Sequence, residues 1–566
     1  MSADTGMAAG TQGACGVRQR HVSGLLLVGA LGLALRVYHV LATVAVSPDG
    51  ALFIDYARAL AHEPREALRS FQQHPLYPAL LLSCQAPVGW IIGDRPEAWI
   101  LAGQLGAIAG SLGAIAALYW LATRLYDRTR GLIAAAMLAV LPDACRFGAD
   151  VLTDLPHLAL YLTGLAAVVQ GMQRRRAAWL LLAAAAGALA FLTRPEGGAV
   201  LPIGVAILLV HRVWPLRRRL GLAAAMAGVF FCVTGPYQLM TGRLIQKKSL
   251  SELFQLEEAA RTDPGAGLRA GSRSENGLRC GSMTSRAASS RFDIGDGKPT
   301  LPLRPAASGM PADGRVRRAG VTELPVPVNV LYQWVRAGRV VYILLALLGL
   351  VVARPTGVGA RTLALALGVH LLLLHALEQR YGYLDRRHAL ILATLSLPLA
   401  AAGVWWLSGV VAQRLRAPAP AARRNVVIGV LGVTALATTP WLFRPINAGD
   451  EHLRACARWL REHTEPGTLI VTDSRLRRLA VYADRPFAEW PWWQGGVRHL
   501  AAFLEGRPDC CFVVDVRHIT SAGRNPAFFE QLAAQFGPRL ELRHSAPAPP
   551  NARHPTEIRV YRYHGP

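Results

Sequence analysis

Carboxylates and arginines recur in the short polar segments between the apolar runs of this 566-residue chain. Asp49 directly follows the first apolar run, in the stretch Ser47-Pro-Asp-Gly-Ala-Leu-Phe-Ile-Asp-Tyr-Ala-Arg58. Pro48 and Asp49 predict the start of a short helix. A carboxylate where the chain leaves an apolar run is not needed for packing and is a candidate functional group. The alternative is that Asp49 only caps the helix.

Three later polar segments repeat this composition. The candidates are Asp49, Asp55, Arg58 and His74 in the first segment, Asp150, Asp154 and His157 in the second, Arg194 and Glu196 in the third, and Glu378, Arg380, Tyr383, Asp385, Arg386, Arg387 and His388 in the fourth. Carboxylates serve as general bases or metal ligands. Arginines bind phosphate through paired hydrogen bonds. The combination predicts transfer from a membrane-bound phosphate ester, with a base that activates the acceptor.

Each of these groups also has a purely structural interpretation, which the sequence leaves open. The structural interpretations are helix capping for Asp154 and His157, a mutual ion pair for Arg194 and Glu196, and interfacial anchoring for Arg386 and Arg387. For Asp55 and Arg58, three residues apart on one predicted helix, a surface ion pair is the favoured interpretation.

The composition predicts the elements that position these residues. The chain is 52% hydrophobic and 17% charged, and its apolar runs of roughly 16 to 24 residues predict an α-helical polytopic membrane protein. About 11 spans are predicted, at 22–45, 98–123, 131–146, 151–171, 178–193, 197–212, 219–240, 335–353, 362–378, 388–408 and 425–443. The net charge of +25 does not indicate nucleic-acid binding, because much of the arginine lies in short loops, where it sets topology.

The arginine-rich loops alternate along the chain, which predicts that they are cytoplasmic. The candidate residues then share the outer face, provided that residues 76–93, which contain Pro87, form an interfacial or re-entrant helix. The predicted domains are a cytoplasmic tail (1–21), a transmembrane module (22–240) with its first outer loop at 46–97, a partly disordered outer loop (241–334), further transmembrane helices (335–443), and a small soluble extracytoplasmic α/β domain (450–566). Cys456 and the pair Cys510-Cys511 in that last domain are candidates for one disulfide bridge.

The order of these motifs resembles the GT-C superfamily of lipid-dependent glycosyltransferases. The closest branch is glycosyltransferase family 39, with the protein O-mannosyltransferases and the bacterial aminoarabinose transferase group. The motifs that carry the resemblance are Asp49-x-Ala-x-Phe-x-x-x-Ala-Arg58, His74-Pro-Leu-Tyr77, Arg124-Leu-Tyr-Asp-Arg128, Thr153-Asp-Leu-Pro156 and Phe191-Leu-Thr-Arg-Pro-Glu-Gly197. His74 stands where the family has a first proline, and the basic insert at 260–320 has no counterpart in the pattern.

The resemblance implies an inverting glycosyltransferase of the bacterial inner membrane, with a hexose or pentose donor on a polyprenyl phosphate and a lipid, glycan or protein acceptor. It implies that Asp49 is the general base and that Asp154 assists, by positioning the acceptor or holding a cation. It assigns Arg386, Arg387 and Tyr383 to the lipid phosphate, Arg194 and Glu196 to orienting the site, and Arg58, His74, Tyr77 and His157 to substrate contacts.

Two other functions remain open at this point. A transporter or flippase of a lipid-linked or anionic solute is the main alternative, although the charges cluster at one face and no internal repeat is evident. The other is an assembly or anchoring protein whose α/β tail does the work. No cysteine or histidine cluster has metal-ligand spacing. A divalent cation on Asp49, Asp154 and Glu196 stays open as a cofactor.

Overall fold

The computed structural model describes residues 5–242, 324–353, 356–382, 384–416, 420–490, 496–507, 509–520, 527–549 and 556–565. The helices are α1 (Thr5–Leu41), α2 (Pro48–His62), α3 (Pro64–Ser70), α4 (Leu76–Ile92), α5 (Pro96–Leu125), α6 (Arg128–Val140), α7 (Pro142–Phe147), α8 (Asp154–Arg174), α9 (Ala177–Thr193), α10 (Val200–Val210), α11 (Leu216–Thr241), α12 (Val326–Val352), α13 (Gly357–Tyr381), α14 (Arg386–Arg414), α15 (Pro420–Leu442), α16 (Glu451–His463), α17 (Arg477–Ala483), α18 (Gly496–Glu505), α19 (Val516–Thr520) and α20 (Phe528–Phe536). The strands are β1 (Ile470–Thr472), β2 (Phe487–Glu489), β3 (Cys511–Asp515), β4 (Leu540–Pro547) and β5 (Glu557–Tyr563). The disorder predicted for 260–320 lies outside the described residues.

The predicted helical membrane architecture is confirmed. Within the described part of the chain, 8 helices are long and apolar enough to cross a membrane. These are His21–Leu41 of α1, then α5, α8, α11, α12, Gly357–Arg380 of α13, α14 and Ala421–Leu442 of α15. The segments predicted as spans at 178–193 and 197–212 are shorter apolar helices, as is α4, which contains Pro87.

The segment predicted as one span at 131–146 is two helices, so this prediction is wrong. Helix α6 ends at Val140, and α7 starts at Pro142 after an extended Leu141. Proline has no N–H and its ring clashes with the preceding turn, so it starts a new helix rather than continuing the old one. The break places Asp143 in the first turn of α7, where its side chain is fully buried.

Helix pairs α5/α8 and α12/α14 form the centre of the bundle. Where α12 crosses α14, Gly349 of α12 faces α14 and Gly403 of α14 faces α12. A Cβ on Gly349 would collide with the backbone carbonyl of Leu399, and one on Gly403 with that of Leu345. Glycine at both positions therefore lets α12 and α14 approach at backbone distance. This crossing fixes the position of α14, which carries Arg386 and Arg387 at its start.

Helix α12 contains a kink at Arg339. This residue has φ 59° and ψ 144° inside an otherwise helical segment. A non-glycine residue with positive φ has a strained backbone that the surrounding contacts must stabilise, and such residues occur at functional sites. The guanidinium of Arg339 contacts the carboxylate of Asp143 at 3.4 Å and covers the ring of Trp441. The kink thus directs a cation from α12 towards α7.

Residues 470–563 contain one five-stranded mixed sheet in the order β2-β1-β3-β5-β4. β1 runs parallel to β2 and β3, and β5 runs antiparallel to β3 and β4. Alternate residues of β3 point to opposite faces. Cys511 and Val513 pack under α16 and α17, and Phe512 and Val514 pack under α18 and α20. The predicted C-terminal α/β fold is therefore present, whereas the predicted domain boundaries stay predictions.

Helix α17 of this sheet region docks on the loop that carries Asp49. The backbone N–H of Val46 donates to the hydroxyl of Tyr482 at 3.0 Å, and Arg478 donates to the carbonyl of Val46 at 3.3 Å. The side chain of Asn447 donates to the carbonyl of Ala45 at 2.7 Å. The backbone N–H and C=O groups of this loop are thus hydrogen-bonded to residues more than 400 positions away in the chain.

The predicted disulfide is wrong. Cys456, Cys510 and Cys511 are buried free thiols. Burial raises the pKa of Cys456 and of Cys510 to about 12, so both remain protonated and pack as small apolar side chains.

Replacing Gly403 with valine should destabilise the protein by about 3 kcal/mol or more, because the new Cβ meets the α12 backbone, which cannot move as a side chain can. Thermal unfolding of the purified protein measures the loss. Gly429→Val is the matched control, since a Cβ there meets nothing within 4 Å. Equal melting temperatures for the two variants would contradict the proposed close crossing.

Candidate active site

Asp49 lies in the first turn of α2 but is not the residue that caps it. Ser47 is the N-cap, and its hydroxyl accepts the N–H of Gly50 at 3.2 Å. The side chain of Asp49 is 53% exposed and its Oδ2 accepts from Arg387 at 2.5 Å. The capping role that the sequence left open for Asp49 thus belongs to Ser47, and the carboxylate of Asp49 is available for other contacts.

Arg387 joins Asp49 to a second carboxylate, Asp154. The guanidinium donates to Oδ2 of Asp154 from Nε at 3.1 Å and from Nη2 at 2.9 Å. Asp154 is almost completely buried, with 3% of its side chain exposed. A buried carboxylate stays charged only when cations and hydrogen bonds replace water around it. Arg387 therefore forms ion pairs with a buried carboxylate and with an exposed one.

Arg194 extends this chain of charges to Glu196. Its Nη1 donates to Oδ1 of Asp154 at 2.6 Å, and its Nε and Nη2 each lie 3.5 Å from an oxygen of Glu196. Burial acts to lower the pKa of Arg194, but Glu196 and Asp154 raise it above its ordinary value. The mutual ion pair of Arg194 and Glu196 is present, as one part of a network that includes Asp154.

Helix starts position the central pair. Asp154 opens α8 and Arg387 is the second residue of α14. The start of α14 is held by a capping box, in which Asp385 accepts from the N–H of Arg386 at 2.6 Å and its own N–H donates to His388 at 3.2 Å. Partial positive charge at the start of α8 also stabilises Asp154. The two helix starts thus present the pair with little side-chain freedom.

A narrow pocket opens beside this network. Its polar lining residues are Asp154, His157, Arg194, Glu196, His370, Arg387 and His388, and its apolar lining residues are Leu158, Leu373, Leu374, Leu377, Leu390 and Ile391. Most of the apolar residues come from the facing surfaces of α13 and α14. Its interior volume is only about 10 Å³, so the structure shows a lining of charged and leucine-rich groups rather than an open ligand site.

A second cluster surrounds Asp143. Its Oδ1 accepts from Arg386 at 3.2 Å and from Arg339 at 3.4 Å, and Arg146 adds a third cation nearby. The Nε atoms of these three arginines and Oδ2 of Asp143 have no hydrogen-bond partner among the described residues. Three guanidiniums around one carboxylate leave an excess of positive charge. We call this group, Asp143 with Arg146, Arg339 and Arg386, the basic cluster.

Asp150 links the start of α2 to the loop between α7 and α8 through hydrogen bonds to backbone N–H groups. Its Oδ1 accepts from the N–H of Ser47 at 3.2 Å and of Val151 at 2.8 Å. Burial raises the pKa of Asp150, while these two hydrogen bonds act to lower it. The carboxyl group thus fixes the start of α2 against the loop between α7 and α8.

Several predicted substrate contacts lie away from this network. Arg58 pairs with Asp484 at 3.4 Å and covers the ring of Trp99. Asp55 lies 3.8 Å from Arg477, so the favoured pairing of Asp55 with Arg58 is replaced by two contacts to α17.

His74 and Tyr77 are also buried outside the pocket. His74 packs against the rings of Phe191 and Tyr237, at centroid distances of 4.9 and 5.7 Å. The hydroxyl of Tyr77 donates to the carbonyl of Gly103 at 2.9 Å. Tyr383 lies outside the described residues. Substrate contact by Arg58, His74, Tyr77 and Tyr383 stays a prediction.

His157 lies one helical turn after Asp154 and lines the pocket. Its Nδ1 faces the carbonyl of Ala190 at 3.1 Å and the hydroxyl of Thr193 at 3.2 Å. His370, which the sequence analysis did not single out, lines the same pocket, and its Nδ1 lies 3.3 Å from the hydroxyl of Tyr161. The two buried imidazoles therefore belong to the pocket wall.

No group of three or more His, Cys, Asp or Glu side chains among the described residues is arranged to hold a metal ion. The oxygens of Asp154 and Glu196 face arginines instead. In this arrangement the carboxylates neutralise guanidiniums.

Sequence reasoning missed Asp143, Arg146 and Arg339 because it placed each of them in or beside a predicted span. Two signals were available. Leu141-Pro142-Asp143 has the form of a helix start. Arg339, inside the apolar run at 335–353, is an ionisable residue at membrane depth, which is a functional candidate by default.

The fold is that of the GT-C glycosyltransferases, in a multi-pass membrane protein, as the sequence motifs predicted. Residues 74–237 match the family of dolichyl-phosphate-mannose-protein mannosyltransferases. This match includes Asp154 and Arg194 but not Asp49 or Arg387. A search of curated proteins by sequence gives no match.

Solved structures support the same fold. ArnT from Cupriavidus metallidurans in the apo state matches with a TM-score of 0.57 and 14% identity, over 97% of this chain and 98% of that chain. Its form bound to undecaprenyl phosphate gives 0.54 and 14%, with the same coverage. Archaeal oligosaccharyltransferase AglB from Archaeoglobus fulgidus, in complex with an inhibitory peptide and a dolichol-phosphate, gives 0.55 and 13%, over 97% and 74%.

Asp154→Asn should destabilise the protein by about 3–5 kcal/mol, because it leaves two buried guanidiniums without their shared counter-charge. Glu97→Gln is the control. It removes an exposed pair with Arg461, which contributes about 1 kcal/mol or less. Chemical unfolding of both variants provides the comparison, and equal effects would contradict the charge network around Asp154.

Proposed function

We propose that this protein is an inverting membrane glycosyltransferase that moves a sugar from a polyprenyl-phosphate donor to an acceptor at the extracytoplasmic face. The observation that carries the proposal is the difference in exposure between two carboxylates on one arginine. Asp154 is 3% exposed and Asp49 is 53% exposed, and both bind Arg387. The open carboxylate is accessible to an acceptor, while the buried one holds the arginine in place.

Asp49 is the general base in this proposal. Arg387 binds its Oδ2, and because the side chain is half exposed, Oδ1 is the oxygen that takes the proton of the acceptor in this proposal. The acceptor hydroxyl or amine transfers its proton to Asp49 while its oxygen or nitrogen attacks the anomeric carbon of the sugar. The bond between this carbon and the phosphate oxygen breaks, and its electron pair leaves with the polyprenyl phosphate. A single displacement of this kind inverts the anomeric configuration.

The charge distribution favours the basic cluster as the site of the leaving phosphate. In the network of Asp49, Asp154, Glu196, Arg194 and Arg387 the carboxylates outnumber the guanidiniums by three to two. In the basic cluster three guanidiniums surround Asp143, and Asp385 is the second carboxylate nearby, so positive charge is still in excess. A dianionic leaving group is stabilised where positive charge is in excess. Arg386 therefore keeps the phosphate role that the resemblance implies, and Arg339 and Arg146 join it, whereas Arg387 positions Asp49.

The leucine-rich wall between α13 and α14 supports a lipid-linked donor. Leu373, Leu374 and Leu377 line the same pocket as Asp154, Arg194 and Arg387. The ArnT and AglB structures with the same fold contain undecaprenyl phosphate and a dolichol-phosphate, respectively. An isoprenoid chain beside this wall would bring its phosphate to the start of α14, where Arg387 lines the pocket and Arg386 of the basic cluster is its neighbour. The sugar and the acceptor are not assigned by these contacts.

The location in the cell is part of the proposal. The arginine-rich loops indicate a cytoplasmic N-terminus, with Asp49 and the sheet region on the outer side of a bacterial inner membrane. Helix α17 supports catalysis by holding the loop before α2 through Tyr482 and Arg478.

Asp49→Asn should lower sugar transfer by about 10²–10⁴-fold, because the amide cannot accept the acceptor proton. Cells that lack the protein should accumulate the lipid-linked sugar, and complementation with each variant measures whether the donor is consumed. The melting temperature should stay near that of the wild type, since the side chain is half exposed.

Glu63→Gln is the matched control for this substitution, because Glu63 is an exposed carboxylate at the end of the same helix. It should consume the donor at the wild-type rate. Full donor consumption by Asp49→Asn would overturn the role of Asp49. Net movement of intact labelled lipid with no glycosyl product would instead support the transporter alternative.

Arg339→Gln and Arg386→Gln should each raise the KM for the lipid-linked donor by about 10–100-fold, because each removes a charged hydrogen-bond donor from the phosphate. Arg336→Gln, one turn earlier on α12 and in contact with Gln333 and Tyr332, should leave the donor KM unchanged. Steady-state kinetics at varied donor concentration decide the matter. A fall in kcat alone, with an unchanged KM, would exclude the basic cluster as a donor-binding site.

A further inference from the structure

A second cavity lies at the other end of the bundle, away from Asp49. Its volume is about 290 Å³, and it is lined by His21, Val22, Tyr119, Trp120, Thr123, Arg124 and Arg128. This volume is close to the lower end of the range for ligand sites. The lining comes from the start of α1 and from the end of α5 with the first residue of α6. Neither the charge network nor the pocket beside it uses any of these residues.

The charges around this cavity are unbalanced. Arg124 and Arg128 line it, Arg174 adds a further cation nearby, and no acidic side chain is among its described lining residues. Asp127, the adjacent carboxylate in the chain, is paired with Arg130 at 3.2 Å and caps α6.

Buried polar atoms in the cavity wall also lack partners. The Nε of Arg124 and the hydroxyl of Thr123 are buried without a hydrogen-bond partner among the described residues. Both belong to residues that line the cavity. These two atoms expose almost no surface, so they lie behind the cavity surface, and the charges of Arg124 and Arg128 are what favour an anion in the cavity. The chemistry of the wall therefore favours an oxyanion such as a phosphate.

The depth of the cavity places it at the headgroup level of a membrane. The apolar part of α1, His21–Leu41, has 21 residues, so it is about 30 Å long, which matches the hydrocarbon core. Asp49 follows the far end of this helix and His21 begins it. The cavity and Asp49 therefore lie at opposite surfaces of the bilayer.

The aromatic residues that line the cavity also indicate the headgroup level of a membrane. Tyr119 and Trp120 line the cavity, and Trp120 makes an edge contact with Trp179 at 5.5 Å. Tryptophan and tyrosine side chains prefer the interface between headgroups and acyl chains. Basic pockets between transmembrane helices are sites for anionic lipid headgroups. Val22, which is exposed at the rim, provides an apolar surface for the start of an acyl chain.

We propose that the cavity between α1 and α5 binds the phosphate headgroup of an anionic membrane lipid, in the leaflet opposite to the Asp49 site. Arg124 and Arg128 bind the phosphate oxygens, and Trp120 with Val22 contacts the glycerol and acyl region. A membrane lipid rather than free phosphate is the occupant, because the cavity is lined by apolar as well as basic groups and lies at the membrane surface. The proposal does not depend on the enzymatic reaction.

The test uses the purified full-length protein in a neutral detergent. Short-chain phosphatidylglycerol, short-chain phosphatidylcholine and inorganic phosphate are titrated separately, and the melting temperature and the number of retained lipids by native mass spectrometry are recorded. Phosphatidylglycerol should raise the melting temperature saturably, since a ligand that binds only the folded state stabilises it. One phosphatidylglycerol should be retained, and phosphatidylcholine should produce no saturable shift.

Arg124→Gln/Arg128→Gln should weaken phosphatidylglycerol binding by at least about tenfold, since two charged donors are lost. Arg217→Gln is the matched control, because Arg217 is an exposed arginine at the start of α11, at the same end of the bundle. It should bind like the wild type.

If the double variant does not fold, the exposed Arg128→Gln alone should still weaken binding several-fold, and native mass spectrometry should show loss of the retained lipid. Unchanged phosphatidylglycerol affinity in these variants would overturn the proposal. An equal response to phosphatidylcholine, or a saturable response to inorganic phosphate alone that matches that of the lipid, would overturn it as well.

Discussion

The site depends on one arginine that neutralises two carboxylates of unequal burial. Asp154 stays charged in a nearly closed environment because Arg387 and Arg194 replace the water that it has lost. Once Arg387 is fixed by Asp154, its remaining Nη1 is directed to Asp49. The position of Arg387 in turn depends on the capping box at the start of α14 and on the close crossing of α14 with α12. Backbone packing deep in the bundle thus determines the geometry of an open carboxylate at its end.

The sequence was sufficient to identify the charged residues of the network but not all of their partners. Asp49, Asp154, Arg194, Glu196 and Arg387 were all singled out, because unusual charges beside apolar runs are visible in any sequence. A pairing between distant segments is different, since it depends on which loops the folded bundle brings together. Local reasoning favoured a pair between Asp55 and Arg58, three residues apart. Such a pair contributes only tenths of a kcal/mol, and contacts from α17, more than 400 residues away in the chain, replace it.

The basic cluster shows why part of the site was missed. An apolar run of suitable length predicts a span, so Asp143 was assigned to the interior of a span. The helix break at Pro142 places it in the first turn of α7 instead. The positive φ of Arg339 has no signature in the sequence, because its partners Asp143 and Trp441 lie about 100 or more residues away in the chain. The three-residue β2 and the largely exposed β4 carry too little pattern to be found.

The two clusters share a short piece of backbone, and this joins the two tasks of the proposed reaction. Arg386 and Arg387 are neighbours in the first turn of α14, and each binds a different aspartate. Successive residues of a helix point about 100° apart, so one helix start presents a guanidinium to each side of the site. A phosphate bound by Arg386 would therefore lie at a distance from Asp49 that the backbone fixes. Because Asp49 itself is on α2, which Asp150 and Tyr482 anchor, the start of α14 must keep its position against α2 for the base and the leaving group to stay aligned.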